Sequence, residues 1–179
     1  MEDRIARYLE LLRRYGAVAD LSSARVLADP ARLLEAARAY AEVLPQGARV
    51  LDLGSGAGWP GIPLAILRPD LELTLAERRR KRAAFLELAA GRLGLENVRV
   101  HAGDVRELAG PYPFVTAQAV GSFPEVYRIV APLLADPAVL VSVKGPGWEA
   151  EVAELPGRVF HVKPLGEGGT LVAVEVGKR

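Results

Sequence analysis

Arg49-Val-Leu-Asp-Leu-Gly-Ser-Gly-Ala-Gly-Trp-Pro-Gly61 is the stretch whose reading decides the fold of this 179-residue chain. Val50 to Leu53 is a short apolar run and reads as a buried strand. Glycines follow at positions 54, 56, 58 and 61. Without a Cβ the backbone can turn sharply and lie close against a ligand. Pro60-Gly-Ile-Pro-Leu-Ala-Ile-Leu67 then resumes as a helix, with prolines in its first turn, where a missing N–H costs little. Strand, glycine loop and helix make the first unit of a nucleotide-binding α/β sheet. The competing reading is a tight turn that binds nothing, and the density of glycines speaks against it.

A dinucleotide fingerprint places its third glycine three residues after its second. Here the second is Gly56, and Trp59 stands three residues on. The spacing is instead G-x-G-x-G behind an acid, Asp52. That pattern is similar to motif I of the class I S-adenosylmethionine-dependent methyltransferases. A sulfonium cofactor with an amino-acid tail and no pyrophosphate needs close backbone approach more than an anion cradle.

The length predicts a single domain of 179 residues, in which residues 1–47 form an N-terminal helical cap and residues 48–179 a cofactor-binding core. The formal net charge of +1 gives no global basic field that would by itself announce nucleic acid. The chain has no cysteine, which excludes disulfides and thiolate metal sites. It also excludes methylation at pyrimidine carbon 5 through a cysteine adduct. Met-Glu-Asp-Arg opens the sequence without an apolar signal core, and no apolar run reaches the ~18 residues that span a bilayer. A cytoplasmic protein is expected.

Residues 2–15 place Ile5, Tyr8, Leu9, Leu11, Leu12 and Tyr15 at helical spacing, with acids at the start and arginines at the end. Asp29-Pro30 caps a second helix whose apolar face is Leu33, Leu34, Ala37, Tyr40, Ala41 and Leu44. These two helices are expected to cover one edge of the sheet. Leu71 to Glu77 alternates as a second strand and ends in an acid about twenty residues after the glycines. Glu77 suits the two ribose hydroxyls of a nucleoside, the role its position favours, and also suits the N-terminus of the helix that follows. Arg78-Arg-Arg-Lys-Arg82 opens that helix, which should run to about Leu93. Cations there oppose the macrodipole. The cluster reads as a phosphate-contacting patch or as a solvated face. Arg99 to Asp104 is a third strand, Tyr112 to Val120 a fourth, Pro124 to Leu134 a helix and Ala138 to Lys144 a fifth strand. Trp148 to Leu155 forms a short helix. Arg158–Leu165 and Thr170–Val176 form a hairpin joined at Gly166-Glu-Gly-Gly169. The predicted class is therefore α/β. It is a Rossmann-like, mostly parallel seven-stranded sheet with helices on both faces and a C-terminal antiparallel hairpin.

More closely, the chain resembles the GidB/RsmG family, the small-subunit ribosomal RNA guanine-N7 methyltransferases. The resemblance rests on Leu51-Asp-Leu-Gly-Ser-Gly-Ala-Gly-Trp-Pro-Gly-Ile-Pro-Leu-Ala65, where the family usually has Phe in place of Trp59. It continues through Arg68-Pro-Asp70, Lys81-Arg82, Phe85-Leu86, Leu93-Gly-Leu-x-Asn-Val98 and Lys144-Gly-Pro146. Three places depart from the family, and the C-terminal region is short beside it. Asp20-Leu-Ser22 stands where it carries Asn-Leu-Thr, and Arg32-Leu-Leu-Glu-Ala-Ala37 where it carries His-x-x-Asp-Ser-Leu. Gln118 stands where it keeps an arginine, and glutamine cannot supply that charge.

The resemblance implies S-adenosyl-L-methionine as cofactor. Asp52, Gly54, Ser55, Gly56 and Gly58 would hold its methionine part, Glu77 its ribose, and Asp104 with Val105 its adenine. Lys144 is the first candidate for substrate contact and Gln118 the second. Ribosomal RNA or the small ribosomal subunit is the implied partner, with a monomer favoured. Guanine N7 has a free lone pair and no proton to lose. Methyl transfer to it needs no general base, in keeping with a chain of two histidines and no evident catalytic pair. A paralogue acting on a small molecule or another RNA, and a binding module without turnover, remain the alternatives.

Overall fold

In the computed structural model, residues 1–19, 27–167 and 169–177 are described; the Asp20-Leu-Ser22 departure lies outside them. Seven strands form one sheet in the order β3-β2-β1-β4-β5-β7-β6. They are β1 (Arg49–Leu53), β2 (Glu72–Glu77), β3 (Val98–Ala102), β4 (Tyr112–Ala117), β5 (Leu134–Lys144), β6 (Gly157–Leu165) and β7 (Gly169–Val176). β1 to β5 run parallel, and β7 runs antiparallel to both of its neighbours. Strand order reverses between β1 and β4, which opens the ligand crevice of such sheets at the strands' carboxyl ends.

Six α-helices are described: α1 (Glu2–Tyr15), α2 (Pro30–Val43), α3 (Gly61–Leu67), α4 (Arg80–Arg92), α5 (Phe123–Val130) and α6 (Trp148–Ala153). α1 buries Ile5, Tyr8, Leu9, Leu11 and Leu12. Asp29 caps α2 by accepting from the Arg32 N–H at 3.1 Å. Contrary to the expectation of an edge, both helices lie on a face of the sheet. They share one core with α3, α4 and the inward residues of β1, β2, β5 and β7. α5 and α6 cover the opposite face over a second cluster built on Leu51, Val115, Leu140 and Val174.

Arg68 fastens α2 to the sheet. Its guanidinium donates to the carbonyls of Ala41, Leu44 and Pro45 around the end of the helix and grips Asp70 at 2.7 and 2.8 Å. Asp70 also accepts the Gly47 N–H. The arginine holds its carboxyl well below the ordinary carboxylate range.

Several boundaries differ from the sequence reading, among them the start of α4, which is Arg80 instead of Arg78. β4 stops at Ala117 instead of Val120, because Ala119 turns into the left-handed region at φ 57°. The helix predicted to Leu134 ends at Val130. A 3₁₀ turn at Ala131–Leu133, containing Pro132, takes the chain directly into a longer β5. β3 ends at Ala102, and a 3₁₀ turn at Val105–Glu107 follows.

Candidate functional site: the crevice above β1 and β4

The glycine loop leaves β1 with φ of +64°, +53° and +92° at Gly54, Gly56 and Gly58, a region costly for other residues. A Cβ at Gly58 would press into Ile62 and Leu86, so its absence lets the loop sit on α3 and α4. At Gly56 the reason is different. A Cβ there would meet nothing closer than the Gly54 carbonyl at 3.8 Å, so this backbone faces the open crevice. The Ser55 N–H donates to the Ala76 carbonyl at 3.1 Å, pinning the loop to the end of β2.

Asp52 is fully buried beneath the loop. Its carboxylate accepts from the Ser55 hydroxyl at 2.7 Å, from the Thr116 hydroxyl on β4 at 2.8 Å and from the Gly61 N–H. Burial outweighs these three donors and pushes its pKa up to about 7. The side chain thus joins β1, β4 and α3 and gives the loop its shape. Gly61 is required for this packing: a Cβ there would lie 2.7 Å from the Asp52 Oδ2 and would also strike Leu75.

The N-terminal helices reach the same loop. The Tyr8 hydroxyl on α1 donates to the Ala57 carbonyl at 2.8 Å, and the Tyr40 ring on α2 meets Trp59 edge to face at 6.3 Å. Tyr40 also donates to the Gln118 Oε1 at 2.8 Å and accepts from the Val143 N–H at 3.1 Å. Both hydroxyls are raised well above the ordinary tyrosine range by burial, with Asp52 adding to the effect. Neither tyrosine nor Thr116 stood out as a site residue in the sequence. The available signal was a hydroxyl-bearing ring on the apolar face of a helix, which needs a partner when buried.

Glu77 ends β2 with 7% of its surface exposed. Its carboxylate accepts from the Arg78 N–H at 3.0 Å and lies 3.9 Å from Arg82. The Glu77 carbonyl takes the Gly103 N–H at 3.0 Å, so the acid and Asp104 stand at adjacent strand ends. Asp104 caps the Val105–Glu107 turn in a reciprocal capping box with Glu107 and pairs with Arg106 at 2.6 Å. Arg106 holds its carboxyl well below the usual range. Val105 is buried behind it. His101, which the sequence left unassigned, bonds the Asp104 carbonyl through Nε2 at 2.9 Å.

The structure therefore brings Asp52, Ser55, the glycines and Glu77 together at the ends of β1 and β2, with Asp104 and Val105 one strand further out. Gln118 and Lys144 sit across the crevice. Gln118 bonds Val143 at both its N–H and carbonyl, continuing the β4–β5 ladder with a side chain where β4 has ended. Lys144 is only 11% exposed; it pairs with Glu151 at 3.1 Å, donates to the Gly121 carbonyl at 3.0 Å and lies over the Phe123 ring. Glu151 in turn accepts the Phe123 N–H. Both residues brace the segment 118–123 that borders the crevice.

This sheet order, with a glycine loop after β1 and an acid closing β2, defines a class I methyltransferase fold. The structure superposes on a SAM-dependent methyltransferase from Aquifex aeolicus with TM-score 0.67 and 19% identity, covering 85% of this chain and 96% of that one. It also superposes on the magnesium protoporphyrin IX methyltransferase of Synechocystis with bound SAM, with TM-score 0.66 and 17% identity over 85% of this chain and 84% of that one. Within that class, the chain belongs to the GidB family: the family's model, described as rRNA small subunit methyltransferase G, matches residues 1–163. Relatives named ribosomal RNA small subunit methyltransferase G agree. That of Thermobifida fusca is 40% identical over 88% of this chain and 68% of its own length, and that of Leptothrix cholodnii 32% over 93% and 81%.

Proposed function

We propose that this chain is an S-adenosylmethionine-dependent ribosomal RNA methyltransferase acting on guanine N7 of the small-subunit RNA. The observation that carries the reading is the glycine loop. Its positive-φ backbone is open on the crevice side at Gly56 and stands beside a nearly buried acid at the end of β2. These groups fit a nucleoside with an amino-acid tail. Gly54, Ser55, Gly56 and Gly58 would hold the methionine part, Glu77 the ribose, and the Asp104–Val105 turn the adenine. Asp52 serves the cofactor through the loop it shapes, since its carboxylate is already engaged by Ser55, Thr116 and Gly61.

When bound, the cofactor supplies a methyl group on a positively charged sulfur. The protein's task is to fix that group and the acceptor in attack geometry. Gln118 and Lys144 contribute by holding the segment 118–123, acting as positioning residues. An acceptor that loses no proton suits this crevice: the His101 ring nitrogen is engaged with the Asp104 carbonyl, and His161 lies on β6 at the far edge of the sheet. The family membership and the names of its relatives support ribosomal RNA as substrate.

A second reading, cofactor binding without transfer to ribosomal RNA, draws on Gln118. It is neutral and tied to Tyr40 and Val143 where the resembled family keeps an arginine. Calorimetry with S-adenosylmethionine on the wild type, Gly56→Val and Glu77→Ala comes first. It is followed by transfer of labelled methyl to undermethylated small-subunit RNA and by chemical cleavage at N7-methylguanine. Binding lost in both variants, with label at a cleavable guanine, is the expected result. Binding without transfer would favour the second reading, and no binding by the wild type would overturn both.

A further inference from the structure

Resting on the ribosomal RNA reading above, we infer that the RNA strand flanking the target nucleotide docks in a groove between the C-terminal end of α1 and the basic start of α4. Arg78, Arg79, Arg80 and Lys81 are exposed, and Arg82 is partly so. Three consecutive cations, Arg80, Lys81 and Arg82, fill the first turn of α4, where they oppose the helix dipole, and the helix has neither a side-chain cap nor an acid in that turn. Arg82 reaches back to Glu77 at 3.9 Å, yet Arg80 and Lys81 make no ion pair among the described residues. In a chain of net charge +1, this is a local field rather than a share of a global one.

The shape beside the charge points the same way. A cavity of about 180 Å³ lies against Ala19 and Arg79 to Arg82. It meets, at Ala19 and Lys81, a groove of about 250 Å³ floored by Ala84, Phe85 and Leu88 and walled by Tyr15 and Val18. Val18 is 72% exposed, and the Arg14 guanidinium stands 5.4 Å from the Tyr15 ring centre. A cationic rim suits phosphates, and an apolar slot with an aromatic wall suits bases and riboses. Together they are the two halves of a single-stranded nucleic-acid site. Arg78 follows Glu77 directly, so the rim begins where the cofactor crevice ends. A strand lying in the groove is already at the crevice mouth.

The test uses the full chain and a fluorescein-labelled single-stranded RNA taken from the small-subunit sequence, with binding followed by anisotropy across a salt series. Arg80→Ala with Lys81→Ala should weaken binding about tenfold at physiological salt. It should also lower the log–log salt slope by about 1.4, at roughly 0.7 for each phosphate no longer neutralised. Val18→Glu should weaken binding several-fold by placing an anion in the groove. S-adenosylmethionine affinity should be unchanged in both. The double-alanine variant should melt no lower than wild type, since it removes charges that oppose the helix dipole. Wild-type RNA affinity and salt slope in both variants would overturn the inference. So would loss of binding to phosphatidylserine vesicles in the double variant with RNA binding intact. Failure of the wild type to methylate ribosomal RNA would instead refute the function on which the inference rests.

Discussion

Asp52 should make the stability of this protein fall as pH rises through neutrality. The carboxyl is fully buried, and burial pushes its pKa up to about 7, from an ordinary value of 3.8. A group with a raised folded-state pKa stabilises the protein fully below its unfolded value, and that contribution is lost as pH rises through the folded one. Between those two values each pH unit is worth about 1.4 kcal/mol. About two of the roughly three pH units lie above about pH 5, so about 2–3 kcal/mol should be lost between about pH 5 and pH 8. For a chain of this size that is roughly 5–10 °C in melting temperature. Asp70 and Asp104, both held low by arginines, stay ionised throughout this window and add nothing to it. Asp52→Asn keeps the shape and offers its amide to Thr116 and its oxygen to Ser55 and Gly61, so its melting temperature should lack this component. The assay is calorimetric melting of both proteins across the range, with carbon-13 NMR titration of the Asp52 carboxyl. A wild type that loses no more stability than Asp52→Asn between the two pH values would refute the reasoning.

Other substitutions test the neighbouring contacts. Gly61→Ala drives a methyl against Leu75 and the Asp52 carboxylate and should cost about 1–3 kcal/mol, read as a lower melting temperature. Tyr8→Phe leaves the Ala57 carbonyl without its donor and should cost about 1 kcal/mol. It should also weaken S-adenosylmethionine binding several-fold by calorimetry, because that hydrogen bond holds the loop. Arg68→Ala takes a charged donor from three carbonyls around the end of α2 and breaks the ion pair with Asp70. It should cost about 2–3 kcal/mol by denaturant titration, with enhanced hydrogen exchange concentrated at residues 41–47.

The readability of this fold followed the locality of its causes. β1, the glycine loop and α3 could be read because their conformation is written in consecutive glycines and prolines. The hairpin of β6 and β7 could be read from strands bounded by glycines. The placement of α1 and α2 could not. An amphipathic stripe states that a helix has a partner, and leaves open whether that partner is an edge or a face. Asp104 shows a different difficulty: an acid followed three residues later by Glu107 is a capping-box signature, yet after a strand it also reads as a ligand contact. Gln118 read as an absent charge, and the structure gives it a second character as a side chain that extends a β-ladder. The tyrosine contacts join residues 49 and 78 positions apart, a separation at which local patterning carries no information.

The sheet order has a consequence for how the chain matures as it is synthesised. β7, made after the other six strands of the sheet, lies between β5 and β6 and, among the described residues, is the only strand bonded to β6. Until it emerges from the ribosome, the long edge of β5 has no strand of this sheet on that side, and β6 has no strand to pair with. Unpaired edges of this kind recruit other chains. Gly169 to Val176 therefore acts as a closing clasp, and a chain truncated just before it would carry both edges open. Removing these eight residues should show itself first as aggregation during synthesis.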